Sequence, residues 1–430
     1  MKKKLKFKLK LVDIYRYLVY ATIFLFPFKI QTVIYQSDLF SGVFNHFAVT
    51  MLTLTELLML SSIALFGILY SKRKITIKYN QKQKKIFIAV LIFLLFVLLS
   101  NFFAKDSLIS FLVSIRWLLL AMFLFILTVG TVDFGKVKKL FVYSLLLQAL
   151  IAILQFFFQQ SLGLKILGES MINIDLLNVA KIELSEQSVL RAYGTFSHPN
   201  VLAAALIFAI AFLVKYKSSK KYFLIAIFLF AFILTFSRTA LIALIGFFIT
   251  LFSIANIKVN YKYLILFGLL ALLLVIGLNL DSILIARIFD LSALNQRGEY
   301  LLIGMNILQD NLFGVGIGNF ILNMNEYSSQ ALQPWLLMPV HNIFLLAFAE
   351  VGLLGGLAFI AIHYYVSKFL ADGDTLEHKT LFSLGGAIVI MSLFDHFFFT
   401  LMQGQFLLLL YLAFVINALS DNSSIPSNKI

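Results

Sequence analysis

Residues 222–255 read YFLIAIFLFAFILTFSRTALIALIGFFITLFSIA, and Arg238 is the one charged residue in the run. As a single helix these roughly 34 residues would extend about 50 Å, well beyond a hydrocarbon core about 30 Å thick. Lys220 and Lys221 precede the run, and Lys258 and Lys262 follow it. Lysine clusters mark the cytoplasmic ends of membrane spans. Both ends therefore belong on the inner side, and the run is predicted to fold back as two spans with FSRT at their outer tip.

The rest of the chain follows the same pattern. Of its 430 residues 61% are hydrophobic and 13% charged, more apolar surface than a soluble domain buries. The reading is an all-α integral membrane protein, a single polytopic domain over 1–430 with about twelve transmembrane helices. The spans are predicted near 14–35, 47–70, 86–103, 109–130, 139–159, 199–215, 222–236, 238–256, 263–280, 342–366, 381–398 and 404–419. With the basic N-terminal segment inside, the inner connections hold most of the 35 Lys and Arg residues. Both termini are then cytoplasmic, and the net charge of +15 is an orientation signal, not the footprint of a nucleic-acid partner. The first apolar run lacks a small-residue cleavage site and reads as a retained helix. No cysteine is present, which excludes disulfides, thiolate metal sites and cysteine nucleophiles.

Two outer segments stand out by length, about 160–198 and about 281–341, and long loops on an economical scaffold carry function. Few cations lie on that side, chiefly Arg116, Arg191, Arg238, Arg287 and Arg297. A charge at the bilayer costs several kcal/mol unless it is paired or wetted. Arg238, at the tip of two short arms, is either an arginine snorkelling to lipid phosphates or part of an anion site. Residues 314–318, Gly-Val-Gly-Ile-Gly, lack the strand, spacing and lysine of a phosphate-binding loop, so they are expected to provide a sharp backbone turn.

His341 follows Pro339 at the mouth of the tenth span, PVHNIFLLAFAEVG. It is either an interfacial residue hydrogen-bonded to a loop carbonyl or a base, since the positive helix N-terminus disfavours the imidazolium and leaves a neutral ring able to accept a proton. Glu350 points away from it and is expected to bond to a neighbouring helix, while Gly352 and Gly356 suggest close helix packing. His396 with Asp395, near the outer end of the eleventh span, forms a second-tier candidate pair. His46 has no polar company in the sequence, and His363 and His378 fall on the inner side.

RAYGTFSHPN, the SR of LTFSRTALIAL, RGEYLLIGMNILQDNLFGVGIGNF and HNIFLLAFAEVG together resemble the O-antigen ligase and O-antigen polymerase superfamily of bacterial membrane glycosyltransferases, over about 191–405. The resemblance implies a metal-independent, inverting transferase without a cofactor, multi-pass in the bacterial cytoplasmic (inner) membrane and in contact with its lipids. It would move a glycan from undecaprenyl diphosphate to an acceptor hydroxyl on the outer face. The acceptor is a lipid or other anchor for a ligase and another glycan for a polymerase. It further implies that His341 acts on the acceptor while Arg238, Arg297 and, third in rank, Arg191 hold the diphosphate. Tyr300 stands where an aromatic, often tryptophan, follows the loop arginine, and Asn311 stands where proline is common. The alternative class is a transporter or flippase of envelope polysaccharide, but the chain lacks the paired, related halves common in transporters. The Asp372-Gly373-Asp374 pair, which could hold a divalent metal, is expected on the cytoplasmic side, away from these residues.

Overall fold

The computed structural model describes residues 10–38, 44–72, 79–129, 131–176, 179–183, 188–216, 218–255, 292–329 and 331–420. Helix α1 (Leu11–Leu25) leads through an antiparallel hairpin, β1 (Gln31–Gln36) and β2 (Val49–Thr53), into α2 (Leu54–Ser71), α3 (Gln81–Ser100), α4 (Ser107–Thr128) and α5 (Phe134–Phe158). A second hairpin, β3 (Lys181–Glu183) and β4 (Ser188–Leu190), precedes α6 (Pro199–Leu213), α7 (Lys220–Ile233) and α8 (Arg238–Ala255). The ninth expected span, 263–280, lies outside the described residues, as do Lys258, Lys262, Arg287, most of the basic N-terminal segment and the tail from 421. Then come α9 (Ser292–Asp310), α10 (Phe320–Tyr327), α11 (Ile343–Ala371), α12 (Leu376–Phe394), the single turn α13 (Phe397–Thr400) and α14 (Met402–Ala418).

Every other expected span overlaps a helix, and the apolar run 222–255 does break into two, between Ile233 and Arg238. Its arms do not lie against each other. α7 packs on α5 and α6, and α8 packs along α12. Among the described residues, six helices are long and apolar enough to cross a membrane: α2, α3, α4, α5, α8 and α11, with α6 and α14 apolar but shorter. Those two are buried along nearly their whole length and form the centre of the bundle. A helix that is apolar all round needs such a place.

The fold is mostly helical, as the all-α reading expects, but the bounds of the first two spans need correction. Residues 31–36 and 49–53, predicted as ends of the first two spans, pair as strands. Their Thr, Val, Ile and Tyr residues are apolar enough to extend a hydropathy run, yet they favour extended backbone. Helix starts, by contrast, follow local chemistry. Thr53 and Glu56 form a reciprocal capping box on α2, and Asp106, Asp133, His198, Asn342 and Thr375 cap α4, α5, α6, α11 and α12. Glu56 also explains Arg116, whose Nε donates to Glu56 Oε1 at 2.6 Å while Nη2 donates to the Met51 carbonyl at 2.5 Å.

Helix α11 is not continuous. Gly352 sits at φ +82°, and the loop after α9 docks into the break. The Val315 amide donates to the Ala349 carbonyl (3.0 Å) and the Leu353 amide to the Leu312 carbonyl (2.8 Å). A Cβ on Gly352 would lie 2.5 Å from the Phe313 carbonyl carbon. The expected glycine packing between helices is therefore corrected. Gly352 terminates the first part of α11, Gly356 is covered by Phe348 of the same helix, and Gly355 is the glycine that faces α3, against Phe96. Glu350, expected to bond to a neighbouring helix, instead accepts the backbone amides of Gly318 (2.8 Å) and Phe320 (3.1 Å), where the glycine-rich turn enters α10. Gly314, Gly316 and Gly318 all have positive φ, as the sharp-turn reading requires.

Gly352→Ala is expected to destabilise the protein by about 2 kcal/mol or more, since it combines left-handed backbone with a backbone clash. Gly386→Ala, in α12 with open space around a Cβ, is expected to be neutral or slightly stabilising. Thermal unfolding in detergent, comparing both variants with wild type, measures the contrast.

Candidate active site

The polar residues gather where α6, α8, α11 and α13 begin. The segment from Arg191 to Asn200 is stitched to the bundle by buried amide side chains. Gln155 Oε1 accepts from the Tyr193 (3.2 Å) and Gly194 (2.8 Å) amides, and Gln148 Oε1 accepts from the Thr195 amide (2.7 Å). From α14, Gln403 Oε1 accepts from the Ser197 amide (2.9 Å) and hydroxyl (3.0 Å). Buried irregular backbone needs such partners.

So anchored, Arg191 is buried, and it links two parts of the site. Its Nε donates to the Thr235 carbonyl (2.6 Å) at the end of α7, and its Nη2 donates to Asn200 Oδ1 (2.7 Å). Asn200 Nδ2 then donates to Asp395 Oδ2 (2.6 Å). Asp395 Oδ1 accepts the His396 amide (2.8 Å), and His396 Nδ1 shares a hydrogen bond with the Thr400 hydroxyl (2.8 Å). This relay crosses from the RAYGTFSHPN loop to the break after α12, where the predicted span 381–398 is interrupted. Asp395 and His396 are both buried there.

His341 stands directly before the cap of α11, with its ring edge-on to His396 at 5.1 Å between centroids and 75° between planes. Among the described residues its Nδ1 is buried without a hydrogen-bond partner. Burial pushes the imidazole below its ordinary value and Arg297 adds to that, while Asp395 opposes them. The ring is therefore neutral near pH 7, which is the protonation state of a base.

The arginines approach from α8 and α9. Arg297 feels the charges of both Asp395 and Arg238, which brings all three into one electrostatic neighbourhood. Arg297 has no hydrogen-bond partner among the described residues. Arg238 opens α8 directly after Phe236, whose φ of +46° is left-handed, a conformation that costs a bulky residue about 1–2 kcal/mol. The buried Phe236 ring packs on Phe156 at 5.9 Å and holds this turn, which aims Ser237 and Arg238 at the start of the helix. The Ser237 hydroxyl beside it is buried and unpartnered among the described residues. Tyr300 is held apart from these groups. Its hydroxyl donates to the Leu336 carbonyl and accepts from Gln296 Nε2 (2.8 Å), fastening α9 to the turn that leads to His341.

Residues 223–360 match the O-antigen ligase family model. The matched segment carries Arg238, Arg297, Tyr300 and His341, whereas Arg191, Asp395 and His396 lie outside it. It supports the resemblance to the O-antigen ligase and polymerase superfamily, and with the apolar helices it makes this a multi-pass membrane protein. O-antigen ligases point to glycosyl transfer in polysaccharide biosynthesis. No curated protein matches the chain.

Around this ligase-like segment, sequence reasoning missed three residues: Asn200, the centre of the relay; Thr400, the partner of His396; and His198. His198 caps α6 by accepting the Asn200 amide (3.1 Å) and acts electrostatically on Asp395. The signal was the SHPN motif itself, two hydrogen-bonding side chains around a proline at a helix start. His46 also needs correction: it lies near Lys29 and Arg116, which the sequence separates from it. Asn200→Leu, close in volume but unable to bond to Arg191 or Asp395, is expected to cost at least about 2 kcal/mol. Its effect should be strongly non-additive with Arg191→Ala, as read from thermal unfolding of the single and double variants.

Proposed function

We propose that the protein is an inverting glycosyltransferase that moves a glycan from a polyprenyl diphosphate, undecaprenyl diphosphate in bacteria, to an acceptor hydroxyl at the outer face of the cytoplasmic membrane. The observation that carries this reading is the convergence of a neutral imidazole, His341, whose Nδ1 has no hydrogen-bond partner among the described residues, with the guanidinium groups of Arg297 and Arg238. The acceptor oxygen attacks the anomeric carbon as the bond to the diphosphate oxygen breaks. His341 takes the hydroxyl proton, and the arginines bind the negative charge that develops on the leaving group. Asp395 stabilises the imidazolium so formed. Arg191 has donors committed to Thr235 and Asn200, so its part is to brace the Arg238 tip against Asp395.

The same reading makes the reaction independent of a divalent metal, the positive charge coming from arginine. Asp372 follows the C-terminal end of α11, the helix that His341 precedes, and lies 3.5 Å from Lys82. The length of α11 places the Asp372–Asp374 pair on the order of 30–40 Å from the histidine.

Transfer from a purified lipid-linked donor tests the reading. His341→Ala should lower turnover by about 10² to 10⁴-fold without loss of membrane insertion. The pH profile checks its protonation. Because burial lowers the His341 pKa, the neutral base persists below the ordinary imidazole value of about 6.5. The acid limb of kcat/KM should therefore fall below that value, and a limb above it would contradict a buried base.

Arg238→Lys and Arg297→Lys should each remain severely impaired, because lysine keeps the charge but not the planar two-point grip on phosphate. Excess chelator should leave the wild type active. Restoration of chelated enzyme by manganese would replace the arginine clamp with a metal.

A further inference from the structure

A cavity of about 90 Å³ adjoins the histidine pair on the side of the N-terminal hairpin. Pro339, two residues before His341, lines it, and so does Thr400, which holds the His396 ring. Lys29, His46, Arg116 and Glu350 bring charge or the capacity for it. The edge of the Phe47 ring against His396, at 5.1 Å, makes the hairpin part of the same wall.

The charged groups of this cavity are not all directly paired among the described residues. Arg116 is matched by Glu56, and Glu350 is committed to the amides of Gly318 and Phe320. His46 is held neutral by burial and by the neighbouring Lys29 and Arg116, its pKa pushed down to about 3. Lys29 remains. Its side chain is half-buried in the cavity wall and has neither a hydrogen bond nor an ion pair among the described residues. A positive charge withdrawn from water without a partner is costly, and a ligand of opposite charge removes the cost. Arg297 acts on His341 and His396, whereas Lys29 and Arg116 act on His46, so the cations form two separate groups.

We propose that this cavity recognises the acceptor: Lys29 receives one anionic group, carboxylate or phosphate, carried by the acceptor glycan, and so seats the acceptor on the His396–Thr400 flank of His341, apart from Arg238 and Arg297. The assignment of this ligand as acceptor rests on the transferase reading; the anion selectivity of the cavity does not.

Full-length protein in nanodiscs is titrated with an oligogalacturonate, its carboxyl-reduced neutral counterpart, and a phosphorylated neutral oligosaccharide. Wild type should bind at least one acidic probe about tenfold more tightly than the neutral one, the scale of one charge-assisted hydrogen bond. The stronger of the two probes distinguishes carboxylate from phosphate. Lys29→Gln should lose the preference and Lys29→Arg should keep it, which separates charge recognition from misfolding. Absence of any acidic preference overturns the proposal. So does a preference that survives Lys29→Gln, above all if Arg297→Ala then removes it. In the transfer assay Lys29→Gln should raise the acceptor KM about tenfold and leave the donor KM in place. A wild type that binds acidic probes through Lys29 yet transfers nothing would sink the transferase reading and leave the cavity an anion site.

Discussion

Irregular backbone placed among apolar helices must find hydrogen-bond partners within the protein, and this requirement organises the end of the bundle that carries Arg191, His341 and Asp395. Gln148 and Gln155 of α5, Gln403 of α14 and Glu350 of α11 are polar residues on otherwise apolar helices. Each accepts backbone amides from a segment that is neither helix nor sheet. The loop from Arg191 to Asn200 and the glycine-rich turn at 314–318 have fixed shapes because these side chains receive them. The geometry of the candidate site follows from that: Arg191 reaches both Thr235 and Asn200 from a loop held at Gln155.

The same principle separates two kinds of buried charge. Arg116 and Glu56 satisfy one another and fasten α4 to the start of α2, so Arg116, conspicuous in the sequence, has a structural explanation. Among the described residues, Arg297 and His341 Nδ1 are left with unused hydrogen-bonding capacity beside Asp395. Several such groups close together, the Ser237 hydroxyl included, fit a place where something binds.

Much of this was legible in the sequence because membrane spans are dictated by length and hydropathy. The break at 234–237 could be read from four lysines and a length in ångströms, and His341 from a proline and the start of an apolar run. What could not be read were the partnerships between distant elements. Nothing near Asn200 announces Asp395, and nothing near His46 announces Lys29 and Arg116. Residues 31–36 and 49–53 were misread for a different reason: β-branched, apolar residues satisfy a hydropathy window whether they form a helix or a hairpin. The glycine at 352 was legible as important but not in its role, since small residues serve both helix packing and helix breaks.

The break at Gly352 has a consequence for how this chain can vary. The segment Ile343–Val351 is fixed at one end by the Asn342 cap and at the other by the backbone of Leu312–Val315. It therefore acts as a rigid spacer of about 13 Å that sets the depth of the imidazole below the docked loop. Inserting or deleting one residue within it would turn the histidine by about 100° and move it by about 1.5 Å, out of line with Asp395 and the arginines. Substitutions inside the spacer can be absorbed by repacking, but its length cannot change without dismantling the site.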